Sequence, residues 1–244
     1  MYQFFVEDAQ IRDGIVTVKD GDARHIHSVL RLKDGEEIRI SEASGKSYFC
    51  RITEQTKETV CAAILMEAEG TELPCRITLF QGLPKSDKME LIIQKAVELG
   101  VSEIVPVAMT NCVVRLDGKK AAAKTARWQE IAKSAAKQSK RSAIPAVRVP
   151  ATVKEAAEQA KECDVMLVPY ENEEGMQSLR RAVKQIGPGS AVGIWIGPEG
   201  GFTEAEIGLA KEQGMIPVSL GRRILRTETA GIAMLSILMY ETER

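Results

Sequence analysis

The sequence predicts an α/β domain built on a mainly parallel sheet, preceded by a small barrel of short strands. Three observations carry that prediction. Before residue 70, short alternating or apolar runs follow one another with turn residues between them. After residue 74, strand-like runs alternate with helix-like patterns for about 170 residues, the pattern of a parallel sheet covered by helices. Near the C-terminus, two glycine-bearing loops each follow an apolar run and open into a helical pattern. That places both at the carboxyl ends of strands, where open parallel sheets bind ligands.

In the first region the predicted strands cover residues 2–6, 15–18, 36–40, 48–52 and 60–65, separated by turns such as Asp20-Gly21-Asp22 and Ser44-Gly45. One helix, residues 23–30 with Asp22 as its cap, interrupts them. Closure into a barrel removes the open edges of so many short strands. The polar stretch Glu67-Ala68-Glu69-Gly70-Thr71-Glu72-Leu73-Pro74 reads as a linker, dividing the chain into 1–70 and 74–244. In the second region strands are predicted at 77–81, 104–107, 165–168, 192–196 and 216–220. An amphipathic helix over 87–99 is stopped by Gly100, and the last helix runs from about 228 to 241, with Thr227 as its cap. Thr203 opens a Thr-x-x-Glu capping box with Glu206, which marks the helix after the first glycine loop.

Composition narrows the classes. The 244 residues suit one large domain or two smaller ones, and 44% hydrophobic with 27% charged residues is ordinary for a globular protein. The net charge of −1 argues against a uniformly basic nucleic-acid binder, so any such contact falls to a local patch. Residues 1–70 hold nine basic and 13 acidic side chains, a net of −4; the remainder holds 24 and 21, a net of +3. No run of 18 apolar residues occurs and the first residues lack a basic-then-apolar pattern, so the cytoplasm is the expected location and no membrane is expected as a partner. Cys50, Cys61, Cys75, Cys112 and Cys163 are odd in number and form no Cys-x-x-Cys pair, which reads as reduced, buried thiols. His25 and His27 are the only histidines and point to different faces of a helix, so no metal site is expected. A Ser-His-Asp or Cys-His site is poorly provided for. The chemistry should need positioning more than acid–base machinery.

The two loops are Ile196-Gly197-Pro198-Glu199-Gly200-Gly201-Phe202 and Leu220-Gly221-Arg222-Arg223-Ile224-Leu225-Arg226-Thr227-Glu228-Thr229-Ala230. Without a Cβ, Gly197, Gly200, Gly201 and Gly221 let backbone groups come close to a ligand. Either loop alone is an ordinary strand–turn–helix connection; together they favour a built site. Neither has the G-x-G-x-x-G spacing of a dinucleotide fingerprint nor the Gly-Lys-Ser/Thr of a P-loop, which leaves a nicotinamide-dependent oxidoreductase a distant reading.

Three basic constellations stand out. Residues 119–141 carry Lys119, Lys120, Lys124, Arg127, Lys133, Lys137, Lys140 and Arg141 against the single acid Glu130, above an apolar stripe of Trp128, Ile131, Ala132, Ala135 and Ala136. Solvated helix faces normally mix both signs, so this one favours phosphate contact. In Arg24-His25-Ile26-His27-Ser28-Val29-Leu30-Arg31, the residues Arg24, Ser28 and Arg31 share a helix face, leaving Val29 and Leu30 to pack. In Gly82-Leu83-Pro84-Lys85-Ser86-Asp87-Lys88, the residues Lys85 and Lys88 suit either a phosphate or a plain helix entry.

The two glycine loops resemble the C-terminal signature of the SPOUT class of RNA methyltransferases. In particular the chain is similar to the 16S ribosomal RNA uridine-N3 methyltransferase family, whose patterns I-G-P-E-G-G-[FLW] and L-G-x-R-I-L-R-x-E-T-A match almost residue for residue. The likeness extends to Arg24-His25 with Val29-Leu30-Arg31, to Gln94-Lys95 and Glu98-Leu99-Gly100, and to Arg127-Trp128 with Gln138-Ser139 and Arg141. Lys137 stands where the family usually has glutamate, and Thr110-Asn111-Cys112-Val113-Val114 replaces its common E-R-S-V run, so substrate-side contacts of that run do not transfer. The resemblance implies a PUA-like barrel followed by a SPOUT domain whose chain threads a trefoil knot. It implies S-adenosylmethionine as cofactor, held by Leu167 and Pro169, by Gly197, Pro198, Glu199, Gly200 and Gly201, and by Leu220, Gly221, Ile224, Leu225, Arg226 and Thr227. It also implies a homodimer acting on N3 of the uridine corresponding to position 1498 of 16S ribosomal RNA, in small-subunit maturation. Arg24, His25, Arg31, Lys85, Lys133, Lys137 and Arg141 are the expected RNA contacts.

A sulfonium methyl group is already activated, so such a protein mainly supplies alignment and a suitable field. Arg226 cannot serve as base, because guanidinium stays protonated, but it suits stabilisation of charge developing on uracil oxygens. Glu199 and Glu228 are the nearest carboxylates in sequence, either as base or as loop and helix-end ligands, with Glu228 favoured as structural in the first helical turn. The general base stays unassigned. A ribose 2′-O-methyltransferase of the same class usually carries Ser-Leu-Asn in the last loop, where this chain has Leu225-Arg226-Thr227-Glu228-Thr229-Ala230. A non-catalytic RNA-binding assembly factor is the other rival, and the intact glycine loops count against it.

Overall fold

The computed structural model describes residues 1–173 and 175–243. It divides into two compact units, Met1–Glu72 with Ala136–Ala143, and Leu73–Ala135 with Ile144–Arg244.

The first unit is one six-stranded sheet. β1 (Gln3–Val6), β2 (Ile11–Arg12), β3 (Ile15–Lys19), β4 (Glu37–Glu42), β5 (Ser47–Gln55) and β6 (Thr59–Ala68) lie in the order β1-β4-β5-β6-β3-β2. Only β1 and β4 pair in parallel; the other pairs are antiparallel. The two edge strands follow each other directly in sequence. Five residue steps from Val6 to Ile11 reach at most about 18 Å, whereas the edges of a flat six-stranded sheet stand about 24 Å apart. The sheet therefore has to curl, and two register shifts between β5 and β6 add the local twist that curling needs. The strand alternation turns Val16 and Val18, Ile38 and Ile40, Cys50 and Ile52, and Val60 and Ala62 into a shared core.

The helix expected at 23–30 differs. α1 (Asp20–Arg24) starts earlier, with Lys19 and not Asp22 at its cap, and continues into a single π turn over His25–Leu30. The wider turn shifts the faces. Ile26 is buried, whereas Val29, expected to pack, is 70% exposed. Arg31 ends the turn in the left-handed region, at φ 54°.

Ala136–Ala143 joins this unit through buried polar contacts. The Gln3 amide donates to Ser41 Oγ (3.3 Å) and to the Arg141 carbonyl (2.5 Å), and Ser47 Oγ donates to Ser142 Oγ (3.2 Å). The Arg141 guanidinium forks onto the Glu72 carboxylate, which also accepts the Ser142 N–H at 2.9 Å. Arg141 is only 4% exposed. Its expected phosphate contact is therefore corrected to a structural ion pair. Lys137 is half-occupied in the same sense: its ammonium pairs with Asp22 at 2.7 Å and lies 5.5 Å from the Phe4 ring centre.

The second unit is a parallel sheet of β7 (Arg76–Gly82), β8 (Glu103–Ala108), β9 (Ala146–Val147), β10 (Ala151–Thr152), β11 (Val165–Pro169), β12 (Ala191–Ile196) and β13 (Ile216–Val218). Its order is β10-β8-β7-β12-β11-β13, with β9 also on β8. Helices α2 (Lys88–Glu98), α4 (Val153–Gln159), α5 (Gln177–Val183), α6 (Glu204–Glu212) and α7 (Thr227–Thr242) belong here, and α3 (Gly118–Ser139) enters the first unit with its last turn. Capping boxes Thr152/Glu155 and Thr203/Glu206 start α4 and α6. From β7 the chain builds outward to β10, then crosses to β11 and inserts β12 between β11 and β7. The order thus reverses beside β12, which is where ligands bind in such sheets. After β13 the chain returns over the end of β12, because α7 packs on both α2 and β12.

Replacing Glu72 with Gln leaves the Arg141 charge buried without its counter-charge. Removal of one partner of a fully buried pair costs about 3–5 kcal/mol, and Glu72→Gln should cost about 2–3 kcal/mol because Glu72 stays partly in water. Urea unfolding measures it; a change below about 0.5 kcal/mol would show that the pair contributes nothing to the unit.

Candidate active site

Three loops at the carboxyl ends of β11, β12 and β13 enclose a cleft of about 310 Å³. They are the turn after Pro169, the Gly197–Phe202 loop and the loop from Ser219 into α7, with Lys88 reaching in from the start of α2. One hydrogen-bond chain holds these pieces together. The Gln81 amide, wholly buried at the end of β7, donates to Thr227 Oγ1 at 2.9 Å, and Thr227 Oγ1 donates to the Gly197 carbonyl at 2.6 Å. The direction is forced: a hydroxyl that accepts from an amide N–H has its own proton left for the carbonyl. Thr227 is thus the first residue of α7 and not its cap; Arg226 holds the cap position, with φ −65° and ψ 154°.

Among the residues expected at the cofactor, Pro169, Gly197, Pro198, Glu199, Gly201, Leu220, Gly221, Ile224, Leu225, Arg226 and Thr227 line the cleft. Leu167 does not: it is fully buried inside β11. Gly200 does not either; its carbonyl, with that of Gly201, accepts from Asn111 Nδ2 at 2.9 and 3.2 Å. The segment in which this chain departs from the pattern it resembles therefore clamps the first glycine loop. Thr110 N–H reinforces it by donating to Glu206 at 2.9 Å. Gly221 sits at φ 110° with no atom within 4 Å of where a Cβ would stand, so the open space of the cleft reaches its backbone. Ile224 is 83% exposed at the rim.

Lys88 bridges the two carboxylates that the sequence singled out, 3.0 Å from Glu199 and 3.3 Å from Glu228. Glu199 also accepts the Lys85 N–H at 3.1 Å. Burial opposes ionisation of Glu199, but the hydrogen bonds from Lys88 and the backbone outweigh it and hold the carboxyl below its ordinary range. The hydrogen bond to Glu199 raises Lys88. A carboxylate held ionised in this way is a poor proton acceptor, and both acids act here as ligands of Lys88. Burial also pushes the Cys50 thiol up to about 12 and Cys163 up to about 11, far from reactive thiolates.

The expected RNA contacts fall outside the cleft. Arg24, His25 and Arg31 are exposed around the π turn of the first unit, and Lys85 is exposed before α2 in the second. Lys133 is half-buried along α3, and Lys137 and Arg141 are engaged as described. Gln81, Asn111 and the Lys88 bridge escaped the sequence reading. The one available signal was a lone polar residue, Gln81, in the otherwise apolar end of β7.

A parallel sheet whose order reverses beside a glycine-lined cleft, preceded in sequence by a curled six-stranded unit, is the architecture expected of the SPOUT class of RNA methyltransferases. The chain matches family models described as the RNA methyltransferase domain over residues 71–239 and the RNA methyltransferase PUA domain over residues 18–65. It is 36% identical to ribosomal RNA small subunit methyltransferase E of Bacillus subtilis, over 100% of this chain and 98% of that one. The structure of ribosomal RNA small subunit methyltransferase E from Neisseria gonorrhoeae bound to S-adenosyl methionine superposes with a TM-score of 0.82 at 37% identity, covering 98% of this chain and 96% of that one. A Legionella pneumophila protein in complex with SAM superposes at 0.84 and 32% identity, covering 98% and 97%. The chain belongs to the ribosomal RNA small subunit methyltransferase E family.

The Lys88–Glu199 pair fixes a pH window. Glu199 is lowered, so its contribution is present above 4.5 and lost as pH falls through its folded value; Lys88 is raised, so its contribution is present below 10.5 and lost as pH rises through its folded value. The melting-temperature gap between the wild type and Glu199→Gln should stay constant from neutral pH down to about 5 and shrink below it. A gap independent of pH down to about 3 would contradict the pairing.

Proposed function

We propose that this protein transfers a methyl group from S-adenosylmethionine to N3 of a uridine in 16S ribosomal RNA, the one corresponding to position 1498. The observation that carries the reading is the cleft formed by the two glycine loops, tied together through Thr227. Its volume of about 310 Å³ is at the small end of ligand sites. The empty space beside Gly221 leaves the backbone open to a bound group, and Leu220, Ile224 and Leu225 offer an apolar wall. These residues fit the cofactor, with Gly197 and Pro198 in the same lining. S-adenosylmethionine bound there supplies an activated methyl group. The chain's own part is alignment, exclusion of water and a field suited to charge on the base.

Arg226 lines the cleft from the cap position of α7, and its side chain forms no ion pair among the described residues. Its guanidinium stabilises negative charge on the uracil oxygens as N3 loses its proton. Arg24, His25 and Arg31 of the PUA-like unit, with Lys85 and Lys133, meet RNA phosphates. The enzyme acts in the cytoplasm as a homodimer, and α2 and α7, which pack together, expose Leu91 and Tyr240 as apolar surface for a second copy. Among the described residues no helix is long and apolar enough to cross a membrane.

Nucleoside mass spectrometry of 16S ribosomal RNA, treated with the purified protein and cofactor, tests the reading: N3-methyluridine is expected, and a ribose 2′-O-methyl product would contradict it. Arg226→Ala should lower turnover by about 10²-fold or more, the scale for losing one preorganised charge-stabilising donor. Cofactor affinity measured by calorimetry should fall much less, and Arg226→Lys should rescue only in part because a point charge lacks the planar fork. Near-normal turnover of Arg226→Ala would leave it as a loop-shaping residue.

A further inference from the structure

The cleft holds opposite charges that have not neutralised each other. Glu171, on the turn after β11, and Arg222, Arg223 and Arg226, on the loop before α7, all line it. Among the described residues none of these four side chains makes an ion pair or a side-chain hydrogen bond. That separates Glu171 from Glu199 and Glu228, which Lys88 engages. The turn that carries Glu171 is anchored: Tyr170 N–H donates to the Val218 carbonyl at 3.0 Å, and Glu173 N–H donates back to the Tyr170 carbonyl at 3.1 Å. Glu171 Oε1 lies 3.5 Å from where a Cβ on Gly201 would stand, so the carboxylate sits beside the first glycine loop, over a residue whose missing side chain leaves it room.

The pairing edge of uracil runs carbonyl, N3–H, carbonyl. A complementary site needs a donor, an acceptor and a donor. Guanidinium groups only donate and a carboxylate only accepts, so a cleft lined by arginines and one unpaired carboxylate holds the groups that edge needs. Cytosine offers a bare N3 that a carboxylate repels, and a ribose hydroxyl offers no flanking carbonyls.

We infer that Glu171 is the general base of the reaction, accepting the N3 proton of the target uracil. This rests on the uridine-N3 reading above. In the step, the N3–H bond breaks and the proton passes to a Glu171 carboxylate oxygen. The N3 electron pair forms the bond to the methyl carbon while the bond from that carbon to sulfur breaks, its electrons remaining on sulfur. Arg226 offsets charge on the uracil oxygens in passing. Glu171 then releases its proton to solvent through the exposed mouth of the cleft.

The test is single-turnover methylation of 16S ribosomal RNA by the wild type, Glu171→Gln and Glu171→Asp between pH 6 and 9, with cofactor titration beside it. Glu171→Gln should react about 10²-fold or more slowly, the scale of general-base catalysis, while cofactor affinity, which a residue of the cleft lining also touches, should fall much less than the rate. Its residual rate should climb about tenfold per pH unit as hydroxide replaces the carboxylate, against a nearly flat wild-type profile, and Glu171→Asp should recover part of the loss. N3-methyluridine made by Glu171→Gln at near wild-type rate would overturn the role alone. So would a rate loss matched by an equal loss of cofactor affinity, which marks a residue that only shapes the cleft. A wild-type product other than N3-methyluridine would overturn the functional reading, and this role with it.

Discussion

The hydrogen bond from Thr227 Oγ1 to the Gly197 carbonyl is the contact on which the rest of the site depends. It joins the end of β12 to the first residue of α7, and Gln81 at the end of β7 fixes its direction from behind. Three elements far apart in sequence are thereby set to one geometry. A typical hydrogen bond adds only about 1 kcal/mol net, but buried groups left unsatisfied cost about 1–3 kcal/mol each. Losing the Thr227 hydroxyl takes this donor from the Gly197 carbonyl and leaves the buried Gln81 amide only its bond to the Gly82 carbonyl at 3.0 Å. The glycine loops then lose the contact that makes them one site and not two connections.

Around that bond the charges are sorted. Lys88 bridges Glu199 and Glu228, and Asn111 holds the carbonyls of Gly200 and Gly201. What stays available to a ligand is a small set of arginines and Glu171. This is an economical arrangement for a reaction whose methyl donor arrives activated. On the proposed uridine-N3 reading, the protein's part is to supply a fixed base, a proton acceptor and donors for the carbonyl oxygens.

Much of this was legible in the sequence, and for local reasons. Period-two runs marked the longer strands, Thr203 and Glu206 marked the start of α6, and the glycine loops marked the cleft. What was not legible depends on distance along the chain. The π turn at His25–Leu30 looks like α-helix in any periodicity, and only the exposure of Val29 reveals the difference. Arg141 and Lys137 lie in a run of positive charge that reads as a phosphate surface. Their partners, Glu72 and Asp22, are 69 and 115 residues away. Leu167 lies in the same strand as Pro169 but is fully buried. Gln81 and Asn111 carry no motif at all, because their partners come from α7 and from the loop after β12, brought near by a crossover that local sequence does not encode.

The most direct test of the account is calorimetric titration of S-adenosylmethionine into the wild type, Thr227→Ser and Thr227→Val, each shown by cooperative melting to be folded. Valine keeps the shape of threonine and removes only the hydroxyl. Serine keeps the hydroxyl. Thr227→Ser should bind within about threefold of the wild type, and Thr227→Val should bind about tenfold or more weakly, the scale of one broken buried hydrogen bond. Wild-type affinity in a folded Thr227→Val protein would contradict the claim that this bond assembles the site.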